Sequence, residues 1–278
     1  MYEKKFPVIL SFDIDAETLW TSRDPEHAKR PVQLSMGTYG PVEGVPRITK
    51  ILDKYGIKAS FFIPGMTAER YPEMVKALDA AGHEIGNHSY SHKHPHTFDS
   101  KEAEKEELVK SNKILENLTG KVPVGYRSPA WEFSTYSVDI IEEMGFKWGS
   151  NMMYTDQVNL MKVFDKQTDI VDIPVAWVLD DAAYWLYSVH TPGKCMQPLD
   201  AVETYWKTEF DFLYEEFMDD TDGSRKNACF MLTCHPQIIG RPARMTVLEN
   251  LIKHIRTRPN AVFMTGYEVA EKFRAENK

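Results

Sequence analysis

Apolar runs alternate with stretches of helical periodicity along most of this chain. "PVILSFDID" is almost wholly apolar up to two carboxylates and reads as a buried strand. "GVPRITKILDKYG" puts Ile48, Ile51 and Leu52 on one side of an amphipathic helix and stops at Gly56. "KASFFI" predicts the next strand, "AERYPEMVKALDAAG" one helix after it, and "HEIGNH" a third strand. Asp99, with Glu102 three residues on, predicts a capping box for a long helix ending at "NLTG". A short strand in "VGYRS", a helix in "STYSVDIIEEMG" and a strand in "KWGSN" follow. Residues 153–198 are less regular, with one clear strand in "DIVDIPVAW" and a loop around "HTPGKC". A long helix from near Asp200, the strand "ACFMLTCH", the helix "RMTVLENLIKHI", the strand "AVFMTG" and a closing helix complete the series. Repeated strand–helix units predict an α/β fold with a parallel sheet and helices outside it. About seven or eight units suggest a barrel, whose chemistry would lie at the C-terminal strand ends. No repeat or low-complexity linker divides the chain, so residues 1–278 read as one domain.

Composition narrows the function. With a formal net charge of -8 and no basic block, the chain is not expected to bind nucleic acid. The mixed-charge run "SKEAEKEELVK" reads as a solvated helix face. No stretch reaches the roughly 20 apolar residues of a membrane span, and Phe6 to Phe12 is too short for a secretion signal. The three cysteines, Cys195, Cys229 and Cys234, are not spaced like a zinc knuckle. They read as reduced thiols of a cytoplasmic protein.

The residues able to do chemistry fall at predicted strand ends. Asp13 and Asp15 close the first strand, His88 the third, Arg127 the fourth, and His235 the strand "ACFMLTCH". At i and i+2 on a strand the two carboxylates share a side, roughly 7 Å apart. One can bind a metal while the other moves protons; such acids can equally cap helices or meet Arg127. His88 and His92 on one extended strand would sit about 13 Å apart, too far for a metal with bonds of about 2 Å. A strand that ends at His88 and then turns can fold His92 back beside it. Two histidines and a carboxylate make a common open metal face, giving Asp15, His88 and His92 as a provisional ligand set. That set suits Zn2+, with Co2+, Ni2+ or Fe2+ as alternatives. His94 and His96 read as surface loop residues.

At these residues the chain resembles the polysaccharide deacetylase (NodB-homology) family of metal-dependent amide hydrolases, over about residues 7–270. "SFDID" is similar to the first family motif, which implies Asp13 as general base and Asp15 as metal ligand; here Ile14 separates two aspartates that are commonly adjacent. "HSYSH" matches the family's H-[ST]-x-x-H and implies His88 and His92 as ligands. "YRSPAW" resembles the motif whose arginine lies beside the base, implying Arg127, with Pro129 and Trp131 in the pocket wall. "MLTCHP" resembles the last motif, implying His235 as general acid. "VAWVLDD" stands at the fourth motif and offers Trp177 as a pocket wall and Asp180 as a partner of Arg127. The resemblance also implies a distorted (β/α) barrel.

"SFDID", "SMGTYGP", "IPVAWVLDD" and "HPQIIGRP" resemble a branch holding signal-less peptidoglycan deacetylase-like proteins and cyclic imide hydrolases, with allantoinases more distant. Tyr39 of "SMGTYGP" is a further pocket candidate. The resemblance therefore implies deacetylation of N-acetylated amino sugars, or, in the alternative, hydrolysis of small cyclic imides or ureides. A third reading, a metal-binding scaffold without turnover, leaves Asp13 and His235 unexplained. The long segments "TSRDPEHAKRPVQLSMGTYGP" and 153–198 read as loops that narrow the site for a small amide or one sugar ring. The aromatic segment "AAYWLYSV" is a candidate lid or homo-oligomer interface.

Overall fold

The computed structural model describes residues 4–187 and 196–277. Nine strands form one curved sheet: β1 Phe6–Asp13, β2 Ser60–Ile63, β3 Glu84–Asn87, β4 Gly125–Tyr126, β5 Trp148–Gly149, β6 Asn159–Val163, β7 Lys166–Asp172, β8 Phe230–Cys234 and β9 Ala261–Phe263. Their order is β6-β7-β5-β4-β3-β2-β1-β8, with β9 beside the start of β1. Every pairing is parallel except the β6–β7 hairpin. Single bridges from Gln157 to Ala228 and from Asp180 to Thr233 span the seam between β8 and the hairpin end. The sheet is thus a distorted barrel, as the strand–helix alternation and the resemblance implied.

β1 carries the logic of the fold. Its even positions Phe6, Val8, Leu10 and Phe12 join a core with the helices Val45–Tyr55, Leu199–Asp219 and Pro242–Ile255. Its odd positions face the barrel interior, and they change character along the strand. Ile9 packs with Phe62, Trp148 and Met231, whereas Ser11 and Asp13 meet the buried Arg127. The period of two therefore separates a dry core from a polar floor. At that end Asp13 lies opposite Phe62 of β2, and Phe12 opposite Cys234 of β8, the residue before His235.

Several elements differ from expectation. The helix expected over "AERYPEMVKALDAAG" is two, Gly65–Arg70 and Pro72–Ala80. Pro72 offers no N–H and pushes Tyr71 out of the helical region, to φ -126°. The long helix Lys101–Thr119 is capped by Ser100, which accepts from Ala103 N at 3.2 Å, and not by Asp99. The segment expected as a loop after β1 is partly helical, at Thr18–Thr21 and Pro31–Tyr39. Within 153–198 the strand β6 went unseen, and it pairs antiparallel with β7. The loop "HTPGKC" and Cys195 lie outside the described residues; Cys229 and Cys234 are buried free thiols.

Candidate active site

Asp13 ends β1, and Asp15 follows in the turn that leads to Thr18–Thr21. Thr18 N and Oγ1 donate to the Asp15 carbonyl at 3.0 and 2.6 Å, and Thr67 Oγ1 donates to it at 3.0 Å. His88 follows β3. Its Nδ1–H donates to the Arg127 carbonyl at 2.7 Å, which leaves the Nε2 lone pair facing Asp15 Oδ1 at 3.4 Å and Asp13 Oδ2 at 3.8 Å. His92 does fold back: the two imidazole centroids are 5.0 Å apart, and His92 Nε2 is 3.3 Å from the same Asp15 oxygen.

The turn is held from outside. Ser89 Oγ donates to Glu107 Oε2 at 3.1 Å, and Ser91 N and Oγ both donate to it at 2.7 Å. The backbone around the site is unusual. Ala16, Ser89, His92, Ala130 and Trp131 have φ of 51°, 63°, 62°, 55° and 55°. Non-glycine residues enter this region only when their surroundings over-determine it.

The donor set fits a divalent cation. One ligand atom each from Asp15, His88 and His92 lies within 4.8 Å of the others. All three residues are buried, and neither Asp15 oxygen has a hydrogen-bond partner. A dry carboxylate without donors is costly, and a cation would supply what is missing. Burial works to raise the Asp15 pKa, but the imidazoles of His92, His88 and His235 outweigh it and hold the carboxyl well below the usual range. Burial depresses His92 to about 3, against the pull of Asp15, so its ring is neutral as a ligand must be.

Two ion pairs flank this cluster. Arg127, fully buried, donates from Nη1 to Asp13 Oδ1 at 2.7 Å and to Ser11 Oγ at 3.0 Å, and from Nη2 to Ser150 Oγ at 3.0 Å. Its guanidinium lies 4.3 Å over the Phe62 ring. On the other side, His235 Nδ1 is 2.7 Å from Asp181 Oδ1, and His235 N donates to both oxygens of that carboxylate at 3.0 Å. His235 Nε2 points inward, 3.7 Å from Asp15 Oδ2. Burial opposes the imidazolium, yet Asp180 and Asp181 raise the His235 pKa well above the ordinary value. Asp180, Asp181 and His235 could also chelate an ion, but the charge pair already satisfies Asp181.

A family model described as polysaccharide deacetylase matches residues 29–149. The peptidoglycan deacetylase of Helicobacter pylori is 31% identical, over 99% of this chain and 98% of that protein. The chain belongs to the polysaccharide deacetylase family. A solved structure from Mycobacterium smegmatis, assigned as a polysaccharide deacetylase, has 30% identity and a TM-score of 0.89, covering 99% of this chain and 93% of its own. The allantoinase PuuE, at 22% identity, shares the fold with a TM-score of 0.82, covering 100% of this chain and 93% of its own. This member of the family is accordingly a hydrolase of C–N amide bonds, from a metal-dependent family that acts on sugars. No helix among the described residues is long and apolar enough to cross a membrane.

Around the cluster lies a cavity of about 80 Å³, lined by Leu19, Arg23, His94, Ala130, Trp131, Trp177, Ala182 and Leu186 besides the polar groups. Trp131 and Trp177 pack with centroids 4.4 Å apart. A cavity of about 750 Å³ runs along the outer face of Leu199–Asp219, past Tyr205, Glu209 and Phe212, but it holds none of the acid–base residues. Four expectations need correction. Tyr39 is not in the wall; Arg241 stacks on its ring at 3.6 Å and its hydroxyl faces Gly240 O at 3.3 Å. Pro129 is buried under the turn that presents Ala130 and Trp131. Asp180 lines the pocket but does not meet Arg127. It caps the helix Asp181–Trp185, accepting from Ala182 N at 2.6 Å, and burial pushes its carboxyl up to about 7. His94 is more than a surface loop residue: half-buried, it stands in the wall with Nε2 buried. Asp181 was missed as the partner of His235, although the doubled aspartate of "VLDD" was visible.

The loop carrying Ala130 is tied back through Ser128 N, which donates to Asn151 Oδ1 at 2.8 Å, and Asn151 N donates to the fully buried Asp172 at 3.4 Å. Burial, only partly offset by backbone donors, pushes Asp172 up to about 7. A raised carboxyl stabilises the fold fully below its unfolded value near 3.8, and that contribution is lost as pH rises through about 7. Asp172→Asn is therefore expected to gain melting temperature over the wild type as pH goes from 5 to 8. A gap that shrinks over that range would refute the assignment.

Proposed function

We propose that this chain, as one catalytic unit over residues 1–278, removes the acetyl group from an acetamido sugar ring seated at the pocket mouth. The observation that carries the reading is the pair of opposed ion pairs, Asp13–Arg127 and His235–Asp181, on either side of the Asp15–His88–His92 donors. Such a layout suits general base and general acid on opposite faces of an amide. A divalent metal held by Asp15, His88 and His92, zinc first by that donor set and Co2+, Ni2+ or Fe2+ as alternatives, would polarise the acyl carbonyl and acidify a water.

The protein's own residues would move the protons. Asp13, aimed by Arg127, takes a proton from the attacking water. His235, kept protonated by Asp180 and Asp181, gives one to the leaving nitrogen. Acetate and a free amine result. Two buried thiols, Cys229 and Cys234, suit a reducing cytoplasm.

The size of the cavity supports an acyl-sized guest. At about 80 Å³ it is small beside the roughly 300–1,000 Å³ of ordinary ligand pockets. The sugar ring would rest outside, against Trp131 and the half-exposed Trp177. The same narrowness favours a second reading, a small cyclic imide or ureide. Side-by-side turnover of N-acetylglucosamine, its oligomers, succinimide, hydantoin and allantoin tests both. N-acetylglucosamine should be hydrolysed at least as fast as its tetramer. Rates rising with chain length would refute the narrow site, and turnover of the imides alone would replace the first reading by the second.

A further inference from the structure

The floor of the pocket is charge-balanced from within. Arg127 pairs with Asp13, His235 pairs with Asp181, and two imidazoles flank Asp15. Arg23 joins none of these pairs, yet it lines the cavity. It is exposed, and its guanidinium makes no ion pair or side-chain hydrogen bond with a described residue. Its sequence neighbour Asp24 is engaged elsewhere, accepting from Glu26 N at 2.9 Å as the cap of the turn Pro25–Lys29. Arg23 nevertheless springs from a fixed root. Thr18 is tied to the Asp15 carbonyl, Leu19 and Trp20 are buried, and Arg23 N donates to Trp20 O at 3.2 Å. His94 in the same wall presents a buried Nε2 that lacks a hydrogen-bond partner.

We propose that Arg23 is a specificity-determining residue that binds a carboxylate on the ring bearing the scissile amide. The proposal rests on the hydrolase reading above. A cavity of about 80 Å³ takes the acyl group and leaves the ring substituents at the mouth, where Arg23 stands. The guanidinium fork matches a carboxylate in two parallel hydrogen bonds. A chain of net charge -8 repels anions at a distance, so an anionic substrate needs such a local cation at the entrance. The contact is remote from the reacting atoms and equal in ground and transition states, so it sets KM rather than kcat.

Two matched pairs test it on the metal-loaded enzyme: N-acetylglucosamine against N-acetylmuramic acid, and hydantoin against hydantoin-5-acetic acid. The wild type should prefer the anionic member. Arg23→Gln should cut that preference about 10- to 100-fold, through KM, and Arg23→Lys should keep part of it. An unchanged ratio in Arg23→Gln, or equal loss on both members, overturns the proposal. N-acetylglucosamine 6-phosphate is the third arm; a preference for it alone overturns the carboxylate assignment. Calorimetric binding of the same compounds separates this failure from that of the hydrolase reading. If nothing turns over, anion-preferring binding that Arg23→Gln abolishes still supports the role. Equal binding, or none, overturns it.

Discussion

Asp15→Asn is expected to yield a folded protein that neither holds a metal nor turns over substrate. Asp15 is the one carboxylate both histidines approach, and its oxygens have no hydrogen-bond partners. The amide keeps the shape and removes the charge that draws a cation into a dry site. Changes one shell further out already cost 10–100-fold in metal affinity, so loss of a ligand should exceed about 100-fold. His88→Ala and His92→Ala should behave alike. Elemental analysis gives the first readout. The second is thermal: zinc added to stripped wild type at about 100 times its Kd should stabilise by about 2.7 kcal/mol, and should leave the variants unmoved. One full equivalent of metal in purified Asp15→Asn would show that the ligand set is wrong.

Asp13→Asn separates base from ligand. The variant should retain metal and lose about 10²–10⁴-fold in kcat, the usual worth of a general base. It should also melt earlier, because Arg127 then carries a buried charge without a counter-ion; breaking such a pair typically costs about 3–5 kcal/mol, less where the amide oxygen still accepts. Near-normal kcat with metal in place would remove Asp13 from the mechanism. A loss of metal equal to that of Asp15→Asn would make it a ligand instead.

What the sequence revealed tracks how local each signal was. β1 and the His88–His92 turn were readable because their patterns lie within a few residues. The barrel followed from repetition of strand and helix. The hairpin β6–β7 was not readable: β6 is half exposed, and its turn runs through Phe164 at φ 52°, with no glycine or asparagine to mark it. Asp181 and His235 are 54 residues apart, so only the fold joins them. Tyr39 failed for a related reason. Its segment continues as helix into Val45–Tyr55 and turns the ring toward Arg241 and Arg47, outside the cavity around Asp15, His88 and His92. His94 shows the converse, since polarity and a loop position gave no hint that one more bend would put it in the wall.

The left-handed residues around the site set a limit on how this protein can be improved. Ala16, Ser89, His92, Ala130 and Trp131 each hold a conformation that costs of order 1–3 kcal/mol. Random stabilising searches will find these positions attractive, because glycine there relieves the cost at once. Yet Ala16 follows Asp15, Ser89 follows His88, and His92 is itself in the cluster. Relaxed hinges at those points would let the donors drift apart. Heat-tolerant variants of this enzyme are therefore better sought on the helical exterior, away from the backbone that carries these donors.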